Sequence, residues 1–270
     1  MIHGITVNNF RYAVERVQYI GCSDPASSYI WGELLCKENL RSFTNRQWEK
    51  WYADIVLNVP QILCQSNLSL ISINLDSCHI LNNYIVSQIK KLKGLPIGVE
   101  WTEKKEAVSN YNWDKIGSVL RELRKDGFKI ILDDVGKGEC VLHRATTCTP
   151  NIVKIDGSIF KKSIVDLNTY IFLASIIKLF KKLDIIVAVE WVETLSNYLH
   201  AQKLKASYAQ GYYWNEKKVD FNILMENNFE GFLTTEVVNQ EEFEDAIENG
   251  CAFVLSSEET QKYNITVSYK

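Results

Sequence analysis

The sequence lacks the segments that carry a chain into or through a membrane. None of its apolar runs approaches the roughly 20 residues that span a bilayer. Polar residues interrupt residues 1–18, which therefore lack the unbroken hydrophobic region of a secretory signal. We expect a cytoplasmic protein that makes no contact with a membrane.

Paired cysteines and a strong charge of one sign are also lacking. The seven cysteines are scattered, and no two of them form a CxxC pair. An odd and dispersed set argues against a disulfide framework and against a structural zinc site. The net charge is only −3, so the chain as a whole does not indicate DNA binding.

What the sequence has is a regular alternation from about residue 69 onward. Short β-branched apolar runs alternate with longer stretches of helical period, such as residues 112–126 and 168–183. The apolar residues that we place on one side of the second stretch are Phe172, Leu173, Ile176, Ile177 and Phe180. This pattern predicts βα units around a parallel sheet. The candidate strands are residues 70–75, 96–101, 129–134, 151–156, 185–191 and 206–213.

The N-terminal part completes the predicted barrel. The runs RYAVERVQYI and SYIWGELLCKE are typical of strands, and the turn-rich link GCSDPAS between them is short enough for an antiparallel pair. A chain of 270 residues suits one barrel domain. The sequence therefore predicts an α/β fold, a TIM-type (βα)8 barrel variant with one antiparallel strand near the N-terminus.

The C-terminal part does not continue the alternation. Residues 226–270 contain ten acidic residues and two lysines, and two short β-like runs follow the stretch NQEEFEDAIENG. We predict that residues 1–225 form the barrel and that residues 226–270 form an acidic appendage packed on it or extending from it.

Polar side chains interrupt the apolar strands at or near their ends. Isolated charges would be costly to bury there, but the carboxyl ends of parallel barrel strands converge on one mouth. Converging carboxylate and amide oxygens suit Mg²⁺ or Mn²⁺, and two such ions can support phosphodiester hydrolysis. The residues are Asn74, Glu100, Asp133, Asp134, Lys154, Glu190 and Gln210.

Each of these residues, taken alone, also has a structural interpretation. Glu100 could be a core carboxylate paired with a lysine. Asp133 and Asp134 could form a turn, and Lys154 could form a structural ion pair with Asp156. Only their combination favours a site.

Seven short runs, in their order and approximate spacing, resemble the motifs of the EAL-domain family of cyclic di-GMP phosphodiesterases. The resemblance covers about residues 10–225. The runs are GELL (32–35), INL (73–75), VEWTE (99–103), DDVGKG (133–138), VKIDGS (153–158), VEWVET (189–194) and QGYYW (210–214).

The resemblance implies a hydrolase that opens cyclic di-GMP to linear pGpG with two divalent ions, Mg²⁺ or Mn²⁺, and a homodimer formed through the barrel. The metal ligands that it implies are Glu33, Asn74, Glu100, Asp133 and Asp134, with Asp133 as the bridging ligand shared between the two ions. The catalytic residues would be Glu190, as general base or second-ion ligand, and Lys154, against the water or phosphate. The substrate-binding residues would be Lys37 and Gln210, and Glu103 would support the loop Val135–Leu142.

Several residues depart from the family pattern. Lys37 stands where an arginine usually grips the ligand phosphate, and Leu34 replaces an alanine. Trp191 takes the place of a glycine, so its indole must either stack on a guanine or intrude on the site. The loop carries four replacements, at Val135, Lys137, Glu139 and Cys140.

These departures leave two alternatives to the active hydrolase. The chain could be a receptor that binds cyclic di-GMP without useful turnover, or a protein-interaction regulator that no longer uses the nucleotide. Retention of every metal, base and lysine position favours the hydrolase, because a role in protein contacts alone would not require that charge cluster.

Overall fold

The computed structural model describes residues 2–7, 10–21, 31–36, 43–66, 68–102, 112–137, 141–214, 232–233 and 253–254. Nine strands form one sheet. They are β1 (Ile2–Val7), β2 (Phe10–Tyr19), β3 (Trp31–Cys36), β4 (Leu70–Asp76), β5 (Ile97–Thr102), β6 (Lys129–Val135), β7 (Ile152–Ile155), β8 (Ile186–Val189) and β9 (Tyr208–Ala209).

The sheet closes into a barrel because β2 pairs with both β3 and β9. Neighbours from β3 to β9 pair in parallel, whereas β2 is antiparallel to both of its barrel neighbours. The predicted TIM-type barrel with one antiparallel strand is therefore confirmed. The additional strand β1 pairs antiparallel with β2 and was not predicted.

Helices connect the parallel strands, as the alternation predicts. They are α1 (Asn45–Ser66), α2 (Ser77–Leu81), α3 (Asn83–Lys90), α4 (Trp113–Lys125), α5 (Val141–Cys148), α6 (Gly157–Val165), α7 (Leu167–Lys182) and α8 (Leu195–Lys203). Within the described ranges, no helix is long and apolar enough to cross a bilayer.

Helix α4 shows how the local sequence sets these boundaries. The Asn112 side chain accepts a hydrogen bond from the backbone N–H of Lys115 and caps the helix at its start. Ile116 and Leu120 recur at helical spacing and are fully buried. Gly127 follows the last turn with φ 100°, a conformation that glycine adopts without a steric penalty.

Helix α7 corrects one part of the prediction. Leu173, Ile177 and Phe180 face the core as expected, but Phe172 is 59% exposed. Phe172 immediately precedes Leu173, and adjacent helical residues lie about 100° apart around the axis. Hydrophobicity alone therefore placed Phe172 on the wrong face.

The inside of the barrel is closed by a layer of apolar side chains that all come from strands. Such layers make a barrel interior a packed core rather than a pore. The layer consists of Val17, Trp31, Leu70, Ile131, Ile152, Ala188 and Tyr208.

The last two barrel strands are shorter than predicted. β8 ends at Val189 rather than at residue 191, and β9 contains only Tyr208 and Ala209. A short 3-10 helix, Tyr212–Trp214, follows β9. Within residues 226–270 the structure describes only β10 (Phe232–Leu233) and β11 (Phe253–Val254), which pair in parallel. The division of the chain at residue 225 stays a prediction.

Candidate active site

Strand geometry explains why the polar residues share one cavity. Side chains at every second position of a strand point to the same face, so inward positions follow the apolar layer at intervals of two. On β3 these positions are Trp31 and Glu33, and on β7 they are Ile152 and Lys154. The same even spacing from the layer applies to Asn74 on β4 and Asp133 on β6. It also applies to Glu190 and Gln210, which directly follow the last residues of β8 and β9.

Lys154 lies at the centre of this cavity. It is 1% exposed, and its Nζ lies 3.0 Å from Glu33 Oε2 and 3.0 Å from Glu190 Oε1. Glu100 Oε2 lies at 3.2 Å and Asp133 Oδ1 at 3.3 Å. One ammonium group therefore contacts four carboxylates from four different strand ends.

Neutral groups fix the two most deeply buried of the four carboxylates that contact Lys154, those of Glu33 and Glu100. Asn74 Nδ2 donates to Glu33 Oε1 at 2.7 Å, and Gln210 Nε2 donates to Glu33 Oε2 at 2.8 Å. Ser72 Oγ donates to Glu100 Oε1 and accepts the indole N–H of Trp31 at 2.8 Å. These hydrogen bonds orient both carboxylates toward Lys154.

The pKa shifts follow from burial and from this crowding. Burial raises the pKa of Glu33. The charge of Lys154 and the hydrogen bonds that Asn74 and Gln210 donate outweigh burial, so this pKa lies below its usual range. The pKa of Glu100 is well above its usual range because the group is buried and lies beside Glu33. Burial lowers the pKa of Lys154, but its carboxylate neighbours raise it well above the ordinary value. Lys154 is therefore a permanent cation.

Adjacent Asp133 and Asp134 both reach the mouth because β6 is irregular at that point. The β6–β7 register shifts between Leu132 and Val135, so three steps on β6 face two on β7. Asp134 adopts φ 56°, in the left-handed region. A bulge of this kind re-aims side chains that strict alternation would send to opposite faces.

Asp134 belongs to a second group of carboxylates. One oxygen from each of Asp134, Asp156 and Glu190 lies within 4.8 Å of the other two. Lys137 Nζ lies 3.3 Å from Asp134 Oδ1 and 3.4 Å from Asp156 Oδ2. Burial and the charge of Asp133 raise the pKa of Asp134.

Glu190 is common to both groups. It contacts Lys154 on one side and lies with Asp134 and Asp156 on the other. Burial raises the pKa of Glu190 to about 7, with Lys154 opposing the shift and Asp133 adding to it. Glu190 can therefore exchange a proton near neutral pH.

The donor atoms fit hard divalent cations. Every ligand candidate in the two groups is a carboxylate or amide oxygen, as Mg²⁺ and Mn²⁺ prefer. Asn74 Oδ1 and Gln210 Oε1 are buried and accept no hydrogen bond from any described residue. Buried oxygens without a donor are costly, and a cation would satisfy them.

Two of the predicted site residues, Lys37 and Glu103, lie outside the described residues, as does the part of the predicted loop at residues 138–140. The other eight are brought to one end of the barrel. They are Glu33, Asn74, Glu100, Asp133, Asp134, Lys154, Glu190 and Gln210.

Trp191 lies at the edge of the site. Because β8 ends at Val189, strand alternation does not govern its direction, and its backbone has φ 59°. The residue is 48% exposed, and its side chain packs over Gly157, where a Cβ would lie 2.0 Å from the indole Cγ. Gly157 immediately follows Asp156, so the indole borders the second carboxylate group.

The sequence did not indicate the role of Asp156. An ion pair with Lys154 was one structural alternative, but Asp156 pairs with Lys137 instead. Asp156 caps α6 by accepting the Ser158 N–H at 2.9 Å. Its position two residues after Lys154 on an inward face could have indicated its placement. Burial raises the pKa of Asp156, but the hydrogen bonds that the Ser158 hydroxyl and N–H donate to it, together with the charge of Lys137, hold this pKa below its usual range.

Arg144 on α5 was also missed. It is buried, and its guanidinium donates to the backbone carbonyls of Asp133, at 3.2 Å, and Trp101. It also lies 4.8 Å from the centre of the Trp101 ring. Arg144 therefore ties the ends of β5 and β6 together, but nothing in the helical pattern of α5 distinguishes it from a surface arginine.

Comparison with known proteins identifies the family. The sequence model of the EAL domain matches residues 47–217, more than half of the chain. The chain belongs to the EAL domain family. A curated relative, the cyclic di-GMP phosphodiesterase PdeB of Shewanella oneidensis, is 30% identical over 146 residues. That match covers 53% of this chain but only 17% of the relative.

Solved EAL structures share the fold. An EAL domain protein from Listeria monocytogenes superposes with a TM-score of 0.61 at 19% identity, covering 80% of this chain and 92% of that one. Klebsiella pneumoniae BlrP1, solved with manganese and cyclic di-GMP, gives a TM-score of 0.62 at 21% identity over 77% of this chain and 56% of that one. At these identities, the likeness establishes the barrel.

Proposed function

We propose that this EAL domain hydrolyses cyclic di-GMP to linear pGpG in a metal-dependent reaction. The observation that carries the proposal is the cavity itself, where Lys154 and two carboxylate groups meet at the end of the barrel. A polyanionic substrate requires cations there. Of the relatives named above, PdeB is a cyclic di-GMP phosphodiesterase and BlrP1 was solved with that nucleotide bound.

Two sets of oxygens would hold the divalent ions. Bound Mg²⁺ or Mn²⁺ would neutralise phosphate charge and make water a stronger nucleophile. The first set would be Glu33, Asn74, Glu100 and Asp133, and the second Asp134, Asp156 and Glu190. Asp133 adjoins both sets, which supports the predicted role as a bridging ligand.

Glu190 and Lys154 are the groups placed to act on the reacting atoms. Their side chains lie 3.0 Å apart, so both can reach one water molecule. In the proposed step the water oxygen bonds to phosphorus, and Glu190 accepts the water proton. The bond between phosphorus and the ribose 3′ oxygen breaks, and this oxygen takes up a proton from solvent to become the 3′-hydroxyl of linear pGpG. Lys154 would stabilise the negative charge that develops on the phosphoryl oxygens. Gln210, at the same floor, would fix the position of Glu33 and border the substrate.

Asp133→Asn tests this assignment without changing the side-chain volume. We expect hydrolysis of cyclic di-GMP to fall at least about 100-fold, because the shared carboxylate is lost, while the melting temperature does not fall. Asp126→Asn is the matched control, since Asp126 pairs with Lys93 on the surface. Hydrolysis by Asp133→Asn at the wild-type rate would refute the assignment. The implied homodimer stays a prediction.

A further inference from the structure

The second carboxylate group already holds a cation of its own, the ammonium of Lys137. Lys137 Nζ bridges Asp134 Oδ1 and Asp156 Oδ2 at 3.3 and 3.4 Å. These are two of the three residues whose oxygens lie close enough together to hold a metal ion. The ammonium therefore pairs with two of the carboxylates that a divalent ion at this group would bind.

The backbone explains why Lys137 lies there. Asp134 and Gly136 have φ values of 56° and 104°, and the Lys137 N–H donates to the Asp134 carbonyl at 3.1 Å. This tight turn at the end of β6 returns the chain onto Asp134. The turn therefore brings Lys137 close to the Asp134 carboxylate with which it pairs.

The two lysines of the site differ in how readily they can move. The Lys154 side chain is buried among four carboxylates, whereas the Lys137 side chain is 52% exposed. An exposed ammonium exchanges protein contacts for water at little cost, so its ion pairs are weak compared with those of a divalent ion. Lys137 can therefore leave when a divalent ion binds, and it returns when the ion is lost.

We propose that Lys137 is a built-in competitor for the second divalent ion, which weakens binding of that ion at Asp134, Asp156 and Glu190 without affecting the first. This inference rests on the proposed function, because the same site would carry out the hydrolysis. Its consequence is that the chain reaches its two-ion form only at a higher divalent concentration than the carboxylates alone would require.

Titration of the purified chain with Mn²⁺, followed by the electron paramagnetic resonance signal of free Mn²⁺, tests the proposal without nucleotide or turnover. Lys137→Met removes the ammonium and keeps much of the aliphatic stem. We expect the dissociation constant of the weaker ion to fall about tenfold or more, and that of the tighter ion to change less than about twofold.

Three further variants test whether the gain in affinity comes from loss of the positive charge and whether it arises at this site. Lys137→Arg keeps the charge and should bind the weaker ion as wild type does. Lys90→Met removes an exposed lysine paired with Glu122 and should also match wild type. Adding Asp156→Asn to Lys137→Met should abolish the gain, because it removes a ligand of the same site.

The outcomes separate this inference from the proposed function. An unchanged or weaker second ion in Lys137→Met, or no Mn²⁺ bound by any variant, overturns the role of Lys137. Hydrolysis of cyclic di-GMP, assayed on the same samples, reports on the function independently. If the chain hydrolyses the nucleotide but Lys137→Met leaves the affinity for the second ion unchanged, only the proposed role of Lys137 is contradicted.

Discussion

Lys154 is the residue on which the architecture of the site depends most. Its burial places one positive charge between four carboxylates that would otherwise repel one another inside the barrel. A buried charge is tolerated only when it is paired and hydrogen-bonded, and removal of one partner leaves the others uncompensated. The lysine thus has a structural role in addition to the proposed catalytic one.

Lys154→Met should therefore destabilise the metal-free protein strongly. We expect the free energy of unfolding in urea, with chelator present, to fall by about 3–5 kcal/mol. Lys90→Met, which removes an exposed pair with Glu122, should cost less than about 1 kcal/mol. Equal losses in the two variants would show that the buried cluster does not need its cation.

Trp191 combines an unusual backbone with an exposed aromatic ring. A residue other than glycine at φ 59° is uncommon, and such outliers cluster at functional sites. The ring covers Gly157, and the residue is 48% exposed beside the second carboxylate group. A planar base of a nucleotide could stack on this surface.

We predict that Trp191→Gly changes nucleotide affinity more than the maximal rate. Glycine fits the backbone conformation, so the loss is chiefly that of the stacking surface. The dissociation constant for cyclic di-GMP should rise about fivefold or more, and kcat should change less than about twofold. An inactive wild type that gains activity on this substitution would show instead that the indole blocks the chemistry.

At the scale of elements, His200 connects three helices on the outside of the barrel. Its Nε2 lies 2.8 Å from Ser163 Oγ of α6, and its ring contacts Phe160 of α6 and Tyr170 of α7 from its own place on α8. Burial, with a smaller contribution from Lys203, lowers the pKa of His200. The folded chain therefore resists protonation of this ring.

This shift predicts a pH dependence of stability. The unfolded chain binds the proton near pH 6.5, whereas the folded chain binds it only at lower pH. The contribution of His200 is complete above pH 6.5 and is lost as the pH falls through the folded pKa. The melting temperature of His200→Gln should decline less than that of wild type between pH 7 and pH 5, and parallel declines would contradict the prediction.

The sequence predicted the elements better than their irregularities. Apolar alternation sufficed for the strands and helices because burial on both sides of a parallel sheet leaves a continuous hydrophobic signal. It did not predict the β6 bulge that aims both Asp133 and Asp134 at the mouth, because a bulge depends on pairing with β7. The apolar pattern also did not predict that β8 ends at Val189, which leaves Trp191 outside the strand.

At the scale of the whole molecule, the apolar core of the barrel and its polar site lie in separate layers. The apolar layer of seven strand side chains, which includes Val17 and Tyr208, fills the interior. The polar groups lie beyond this layer, at the carboxyl ends of the strands. Motif order predicted which residues would meet there, because converging strand ends are a property of the fold. Motif order did not assign Asp156 to the site, although its spacing of two residues from Lys154 could have indicated it; its cap on α6 and its contact with Lys137 became visible only in the structure.

The most direct test of the account is incubation of the wild-type chain with cyclic di-GMP and Mg²⁺ or Mn²⁺, followed by nucleotide chromatography. We predict stoichiometric formation of linear pGpG, which stops when a chelator is added and is poorly supported by Ca²⁺, whose bonds are longer and less regular. Cyclic di-GMP recovered intact from a chain that binds it tightly would contradict the hydrolase and establish a receptor in its place.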